Sequence, residues 1–318
     1  MYEDINQQTY LIDTELCRPN FAACYLIQDS NELALVDCGT AYSLPTILQA
    51  IKAIGCRPEQ VRWIIPTHVH LDHAGGAGHL MQHCPNAQLV VHPKGLPHMI
   101  DPSKLQAGAT AVYGEAAFSR DYDQLLPIDA DRCIAAENGQ NLALGGRSLT
   151  FIYTAGHANH HGCIHDDKSG YLFTGDTFGL AYRELAENTP YIIATTSPVA
   201  FDPEAWFGSL ERMMALEPSA VCLTHYGKYD DPSTLLPQLL SSIQAHQQIA
   251  LNEEENATEG RQERLLKAVE NLLITGAQKH TGLAQKSLIE LLKGDVTLNA
   301  QGLEIWLARR AKRRSQAN

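Results

Sequence analysis

Between residues 68 and 73 the chain reads His68-Val69-His70-Leu71-Asp72-His73, which places four potential metal ligands within six residues. The spacing has a direct geometric meaning. Residues two apart in extended backbone point to the same side, so His68 and His70 can share one ion. Asp72 and His73, at a turn into a helix, can face a second ion beside it. Imidazole and carboxylate together suit Zn²⁺, Fe or Mn²⁺ and leave coordination positions for water. Gly75 and Gly76 follow, where the lack of a side chain lets the loop pack closely as it enters the helix.

Two ions need more ligands than four. Three further candidates occur downstream: His157 in Thr154-Ala155-Gly156-His157, Asp176 in Thr174-Gly175-Asp176-Thr177, and His225 in Leu223-Thr224-His225-Tyr226-Gly227. Each follows an expected strand, so all can gather along one edge of the sheets.

The elements that must position them show in the hydrophobic pattern. Residues 22–28 and 33–36 are apolar and partly β-branched around Asp29-Ser30-Asn31, which suits a hairpin ending at Asp37-Cys38-Gly39-Thr40. An amphipathic helix is expected over 44–54, closed by Gly55. Strands follow at 61–66 and 88–92, with a helix at about 74–83 between them. Residues 93–127 are rich in Pro, Gly and Ala and read as a helical insertion. Strand pattern returns at 148–153, 171–174 and 220–223. From 232 onward the signal is helical, over 235–251, 264–273, 287–293 and 302–314, with a polar linker at 252–260.

Five landmarks, Val36-Asp37-Cys38-Gly39, the His-x-His-x-Asp-His run, Gly156-His157, Gly175-Asp176 and Thr224-His225, stand in an order that resembles the metallo-β-lactamase superfamily, and more closely its glyoxalase II-like hydrolase branch. The resemblance covers roughly residues 1–230, leaving 231–318 as a C-terminal helical region. It implies an α+β fold, a four-layer αββα sandwich with the site at one edge of two sheets. It further implies that His68, His70 and His157 bind one metal, that Asp72, His73 and His225 bind a second, and that Asp176 bridges them. Asp37 looks like the family's aspartate that orients a ligand histidine without touching metal. Asp72 and Asp176 are then the catalytic carboxylates, orienting a hydroxide shared by metals about 3.5–4 Å apart.

The activity this implies is hydrolysis of a small ester, thioester or lactone with two divalent ions, Zn²⁺ foremost and Fe or Mn²⁺ as alternatives. The C-terminal helices match no glutathione-binding pattern, so lactone and phosphodiester substrates stay open. A second reading is a di-iron protein that binds or reduces oxygen, similar to the β-lactamase-like domain of flavodiiron proteins. Those carry a carboxylate where this chain has His70, and the residues after 230 are too helical for a flavodoxin domain.

Several residues near the landmarks are candidates for supporting roles. His160 and His161 follow His157, and His161 is preferred as support for a ligand. Tyr226 is a candidate donor to a developing oxyanion, with packing as the competing role. Arg183, in the loop after Asp176, is a candidate clamp for a substrate carboxylate or phosphate, with a loop salt bridge as the alternative. His92, Lys94 and His98 read as surface residues at the edge of the insertion, with a place in the pocket wall as the alternative. Tyr113 and Phe118 read as its packing face or as a wall towards substrate.

The composition limits the remaining options. A formal charge of −12 argues against a general nucleic-acid binder. The cluster Arg309, Arg310, Lys312, Arg313 and Arg314 reads as a solvated helix end complementing the helix dipole, with a short nucleic-acid or membrane contact as the other option. Eight cysteines, at 17, 24, 38, 56, 84, 133, 163 and 222, form no CxxC pair and read as reduced thiols. No stretch reaches the roughly 20 apolar residues of a membrane span, and the opening Met1-Tyr2-Glu3-Asp4 does not read as a signal peptide. A cytoplasmic enzyme acting on a small molecule is expected, with no nucleic-acid or membrane partner and with homodimer formation open.

Overall fold

The computed structural model describes residues 2–187, 189–196 and 199–317, and it divides into two compact units. The first comprises Met1–Tyr153, His160–Gly175 and Leu216–Asp230 and contains both sheets. Strands β1 (Tyr2–Asp4), β2 (Thr9–Asp13), β3 (Ala23–Asp29), β4 (Glu32–Val36), β5 (Val61–Ile65), β6 (Gln88–Val91) and β7 (Cys133–Ala135) lie side by side in sequence order. The pairings from β1 to β4 are antiparallel, and those from β4 to β7 are parallel. Strands β8 (Gln140–Leu144), β9 (Arg147–Tyr153), β10 (Gly162–Asp166), β11 (Tyr171–Gly175), β12 (Ala220–Leu223) and β13 (Gly227–Tyr229) form the second sheet in the order β13-β12-β11-β10-β9-β8. Only β11 and β12 run parallel there.

The strand period of two explains why the first sheet is apolar on both faces. On β3 and β4, Tyr25, Ile27, Ala34 and Val36 face the second sheet, where Leu149, Phe151, Ile164 and Phe173 meet them. The alternate residues Cys24, Leu26, Leu33 and Leu35 face outward, onto Ile47 and Ile51 of α1 (Leu44–Ala53) and Leu80 and Met81 of α3 (Ala77–His83). A buried ion pair pins one end of the sandwich. The Arg147 guanidinium donates to Asp166 Oδ2 at 2.6 Å and to the carbonyls of Gln7 and Gln28, with both charged side chains fully buried.

The helix expected over 74–83 is broken into α2 (Leu71–Ala74) and α3, with Gly75 and Gly76 between them. A Cβ on Gly76 would sit 2.6 Å from the Thr40 carbonyl oxygen and 2.8 Å from that of Cys38. The two loops that carry the candidate residues therefore touch backbone to backbone. The insertion forms α4 (Leu96–Ile100), α5 (Ser103–Tyr113) and α6 (Glu115–Asp121).

The second unit comprises Thr154–Asn159, Asp176–Ala215 and Asp231–Asn318. Its helices are α7 (Pro203–Met214), α8 (Pro232–Asn252), α9 (Arg261–Ala277) and α10 (Gln285–Ala317). Helix α7, which the hydrophobic pattern did not single out, begins at an N-cap where Asp202 accepts a hydrogen bond from the Ala205 amide and Pro203 opens the first turn. The two helices expected at 287–293 and 302–314 are one continuous helix, α10. Leu288, Leu292, Val296, Ala300, Leu303 and Leu307 continue a single buried stripe through the polar stretch that made the pattern look broken. No disulfide links any of the eight cysteines, and burial pushes the Cys24, Cys38 and Cys222 thiols up. Among the described residues no helix is long and apolar enough to cross a membrane.

Candidate metal centre

In a parallel sheet the carboxyl ends of the strands collect at one edge, and ligands bind there. Parallel neighbours β4 and β5 run directly into Asp37 and into Thr67-His68, and the Asp37 amide donates to the Ile65 carbonyl at 3.1 Å. In the second sheet, parallel β11 and β12 run into Gly175-Asp176 and Thr224-His225. Asp37 adopts a left-handed φ of +57°, which Asp tolerates better than most residues and which ends the strand abruptly.

Asp37 is the hub of the first unit's polar network. Its carboxylate is buried and accepts four donors: the Thr67 amide at 2.7 Å, Thr67 Oγ1 at 2.9 Å, Thr224 Oγ1 at 2.6 Å and His73 Nδ1 at 2.8 Å. With Nδ1 donating to a carboxylate, the proton of His73 is fixed there and Nε2 carries the lone pair, 3.5 Å from Asp72 Oδ2. His225 is set in the same way. Its Nδ1 donates to the Phe21 carbonyl at 2.7 Å and its Nε2 lies 3.1 Å from Asp72 Oδ2. Asp72, His73 and His225 thus offer one carboxylate oxygen and two imidazole nitrogens, all within 4.8 Å of one another. This converging donor set fits a cation.

His68 and His70 converge beside them, His68 Nε2 lying 2.8 Å from His70 Nδ1. The far nitrogen of His68, Nδ1, is 3.2 Å from Thr67 Oγ1, so the Thr67 hydroxyl ties this ring to Asp37 as well. The His161 ring is buried and stacks on His68 at 4.8 Å, and His160 sits 6.1 Å from His68 and 5.7 Å from His70.

The second unit brings His157 and Asp176 together, with His157 Nε2 3.4 Å from Asp176 Oδ2 and both side chains buried. His157 Nδ1 donates to the Thr195 carbonyl at 3.0 Å, again leaving Nε2 to face the carboxylate. Gly156 makes this placement possible. Its φ is +142°, and a Cβ there would lie 2.4 Å from Cβ of Trp206. The Trp206 indole is fixed in turn by donating to the Thr177 carbonyl at 2.6 Å.

The Tyr226 ring is buried in the core between the two sheets. Arg183 opens a single turn of 3₁₀ helix and is exposed. His92 is buried against Tyr153 with ring centroids 4.3 Å apart, so it is not a surface residue, and burial pushes its pKa down to about 4. Phe118 is buried, whereas Tyr113 exposes 41% of its surface. Thr67 and Thr224, two of the donors to Asp37, were passed over in the sequence. The repeated Thr-His pair at 67–68 and 224–225, each at a strand end, was the available signal.

The metallo-beta-lactamase superfamily model matches residues 17–225. The chain belongs to this superfamily and has its fold. It is 29% identical over 213 residues to a metallo-beta-lactamase fold-containing protein of Sulfurisphaera tokodaii, covering 66% of this chain and 74% of that one. It is 30% identical over 167 residues to a hydroxyacylglutathione hydrolase of Salmonella typhi, 52% of this chain, and spans only half of that enzyme's length. Among solved structures, an archaeal metallo-beta-lactamase superfamily protein from Sulfolobus tokodaii superposes with a TM-score of 0.64 at 24% identity, covering 94% of this chain and 98% of the other.

Proposed function

We propose that this protein is a dinuclear-metal hydrolase acting on a small ester, thioester or lactone, in the manner of glyoxalase II-like enzymes. The observation that carries the reading is the convergence of Asp72, His73 and His225, whose ligand atoms lie within 4.8 Å of one another. Both histidines of this group hold their far nitrogens on oxygen acceptors, so that Nε2 is left to bind. The similarity to a hydroxyacylglutathione hydrolase supports the reaction class.

In this reading, following the family resemblance, His68, His70 and His157 would hold one cation, Asp72, His73 and His225 would hold the other, and Asp176 would serve both. Imidazole and carboxylate donors of this kind suit Zn²⁺, Fe or Mn²⁺. Such ions, when bound, supply Lewis acidity and lower the pKa of coordinated water towards neutrality. The protein's own contribution is orientation. Asp37 and the Phe21 carbonyl fix the tautomers of His73 and His225, so no proton has to move before either ring can bind. Asp72, whose side chain is 23% exposed, would help orient an attacking water. The buried Asp176 carboxylate faces His157 from within the second unit.

Elemental analysis of the purified protein, followed by assay against thioesters, lactones and phosphodiesters and by oxygen-consumption measurements, tests the proposal. His70→Ala and Asp176→Ala are each expected to abolish turnover and lower metal content while far-ultraviolet circular dichroism is retained. Full activity and metal content in either variant would remove that residue from the centre. Oxygen consumption without hydrolysis would replace the hydrolase by the di-iron reading.

A further inference from the structure

The insertion is joined to the rest of the first unit at a telling point. Leu71, between His70 and Asp72, is buried together with Phe118 and Leu125 in an apolar cluster separate from both faces of the first sheet. Tyr122 packs against this cluster, 5.9 Å from Phe118 and 5.5 Å from Tyr113 between ring centroids. A second tie holds the insertion to the loop after Asp37, where the Tyr42 hydroxyl donates to the Ser119 carbonyl at 2.8 Å. The insertion is thereby fastened to the two loops that carry Asp37 and Asp72. Yet helix α5 buries none of its eleven residues, and it ends in Val112 and Tyr113, which are 51% and 41% exposed. The Tyr113 ring is thus tied through Tyr122 to the cluster around Leu71 while 41% of its surface stays open to a ligand.

Within the same unit the Phe21 ring meets the His225 ring edge-on at 5.1 Å. The insertion carries Lys94, Lys104 and Arg120 against Asp101, Glu115, Asp121 and Asp123, a slight negative balance that favours an uncharged ligand. Arg120 is engaged by Asp121 through two hydrogen bonds, and Glu115 and Asp123 add negative charge to the same stretch. We infer that Tyr113, braced by Tyr122 and Phe118, is a specificity-determining residue of the metal centre and takes an uncharged, apolar acyl group, aromatic or alkyl, of the substrate. The inference rests on the hydrolase reading for the reaction and on the insertion's packing for the substrate class.

The test uses the metal-loaded full chain with N-acetylcysteamine thioesters of acetate and phenylacetate, which differ only in the acyl group. The wild type is expected to favour the phenylacetyl thioester, and Tyr113→Ala to reduce the ratio of the two kcat/KM values by about tenfold, the order of discrimination an apolar pocket supplies. Tyr113→Phe, which keeps the ring, is expected to preserve the ratio. Calorimetric binding of phenylacetate and of acetate to the same proteins gives a readout independent of turnover and should shift by a similar factor. Turnover with no acyl preference in the wild type, or a ratio unchanged in Tyr113→Ala, overturns the inference and leaves the hydrolase standing. Absence of turnover on either thioester, with a phenylacetate preference that Tyr113→Ala removes, overturns the hydrolase reading and leaves the acyl wall standing.

Discussion

Replacing Asp37 by Asn isolates the charge of the hub from its shape. The backbone cost is small, because Asn also accepts the left-handed φ of +57° at this position. If the amide oxygen takes the place of Oδ1, it still accepts from the Thr67 amide and hydroxyl. The amide nitrogen then occupies the Oδ2 position, facing Thr224 Oγ1 and His73 Nδ1, both of which donate to Asp37 in the native protein. The Thr224 hydroxyl can rotate and accept instead. His73 can accept only by moving its proton to Nε2, the atom that faces Asp72, and a protonated nitrogen cannot bind a metal. Stability therefore falls modestly, by about 1–3 kcal/mol for the weakened network, or roughly 1–5 °C in melting temperature for a chain of this length. Metal affinity falls further, by about 10- to 100-fold, the usual effect of losing a partner behind a ligand histidine. Competition against a chromophoric chelator, with melting curves taken alongside, measures both. A variant that binds metal as tightly as the wild type would show that Asp37 does not set the His73 tautomer.

Two further expectations concern stability. His246 of helix α8 is fully buried, donates Nδ1–H to the Ser242 carbonyl at 2.8 Å, and has its pKa pushed down to about 4 by burial. Since the unfolded chain takes up the proton near pH 6.5 and the folded one only near 4, stability falls as pH drops through that window. This residue should cost about 2 kcal/mol between pH 7 and pH 5, and urea unfolding of His246→Leu should show a correspondingly shallower acid limb. An unchanged limb would place the acid sensitivity elsewhere. Arg147→Ala leaves Asp166 buried without its cation, so denaturant unfolding should register a loss of about 3–5 kcal/mol. A loss below about 1 kcal/mol would mean that water or Lys168 replaces the guanidinium.

The sequence by itself marked the candidate ligands and seven of the thirteen strands. The reason is that both are local signals: His68-x-His70-x-Asp72-His73 lies in one turn of chain, and apolar alternation in β3, β4 and β5 needs no partner to be recognised. The short edge strands β1, β7 and β13, the polar-faced β8, and β2 and β10, each ending in an aspartate, carried too little pattern to stand out. Helix α10 was split by its polar stretch, because the buried stripe from Leu288 to Leu307 becomes visible only once neighbouring helices cover it. Only the tertiary structure decided how the site is held. Asp37, Thr67, His73 and Thr224 are joined across as many as 187 residues of sequence, and a buried carboxylate recruits whichever donors the fold delivers to it. The same holds for Tyr113 and Phe118, both aromatic residues on the insertion's helices: packing against Leu71 buries Phe118 and leaves Tyr113 open. Their shared aromatic ring does not tell which one is buried, since exposure is a property of the neighbours.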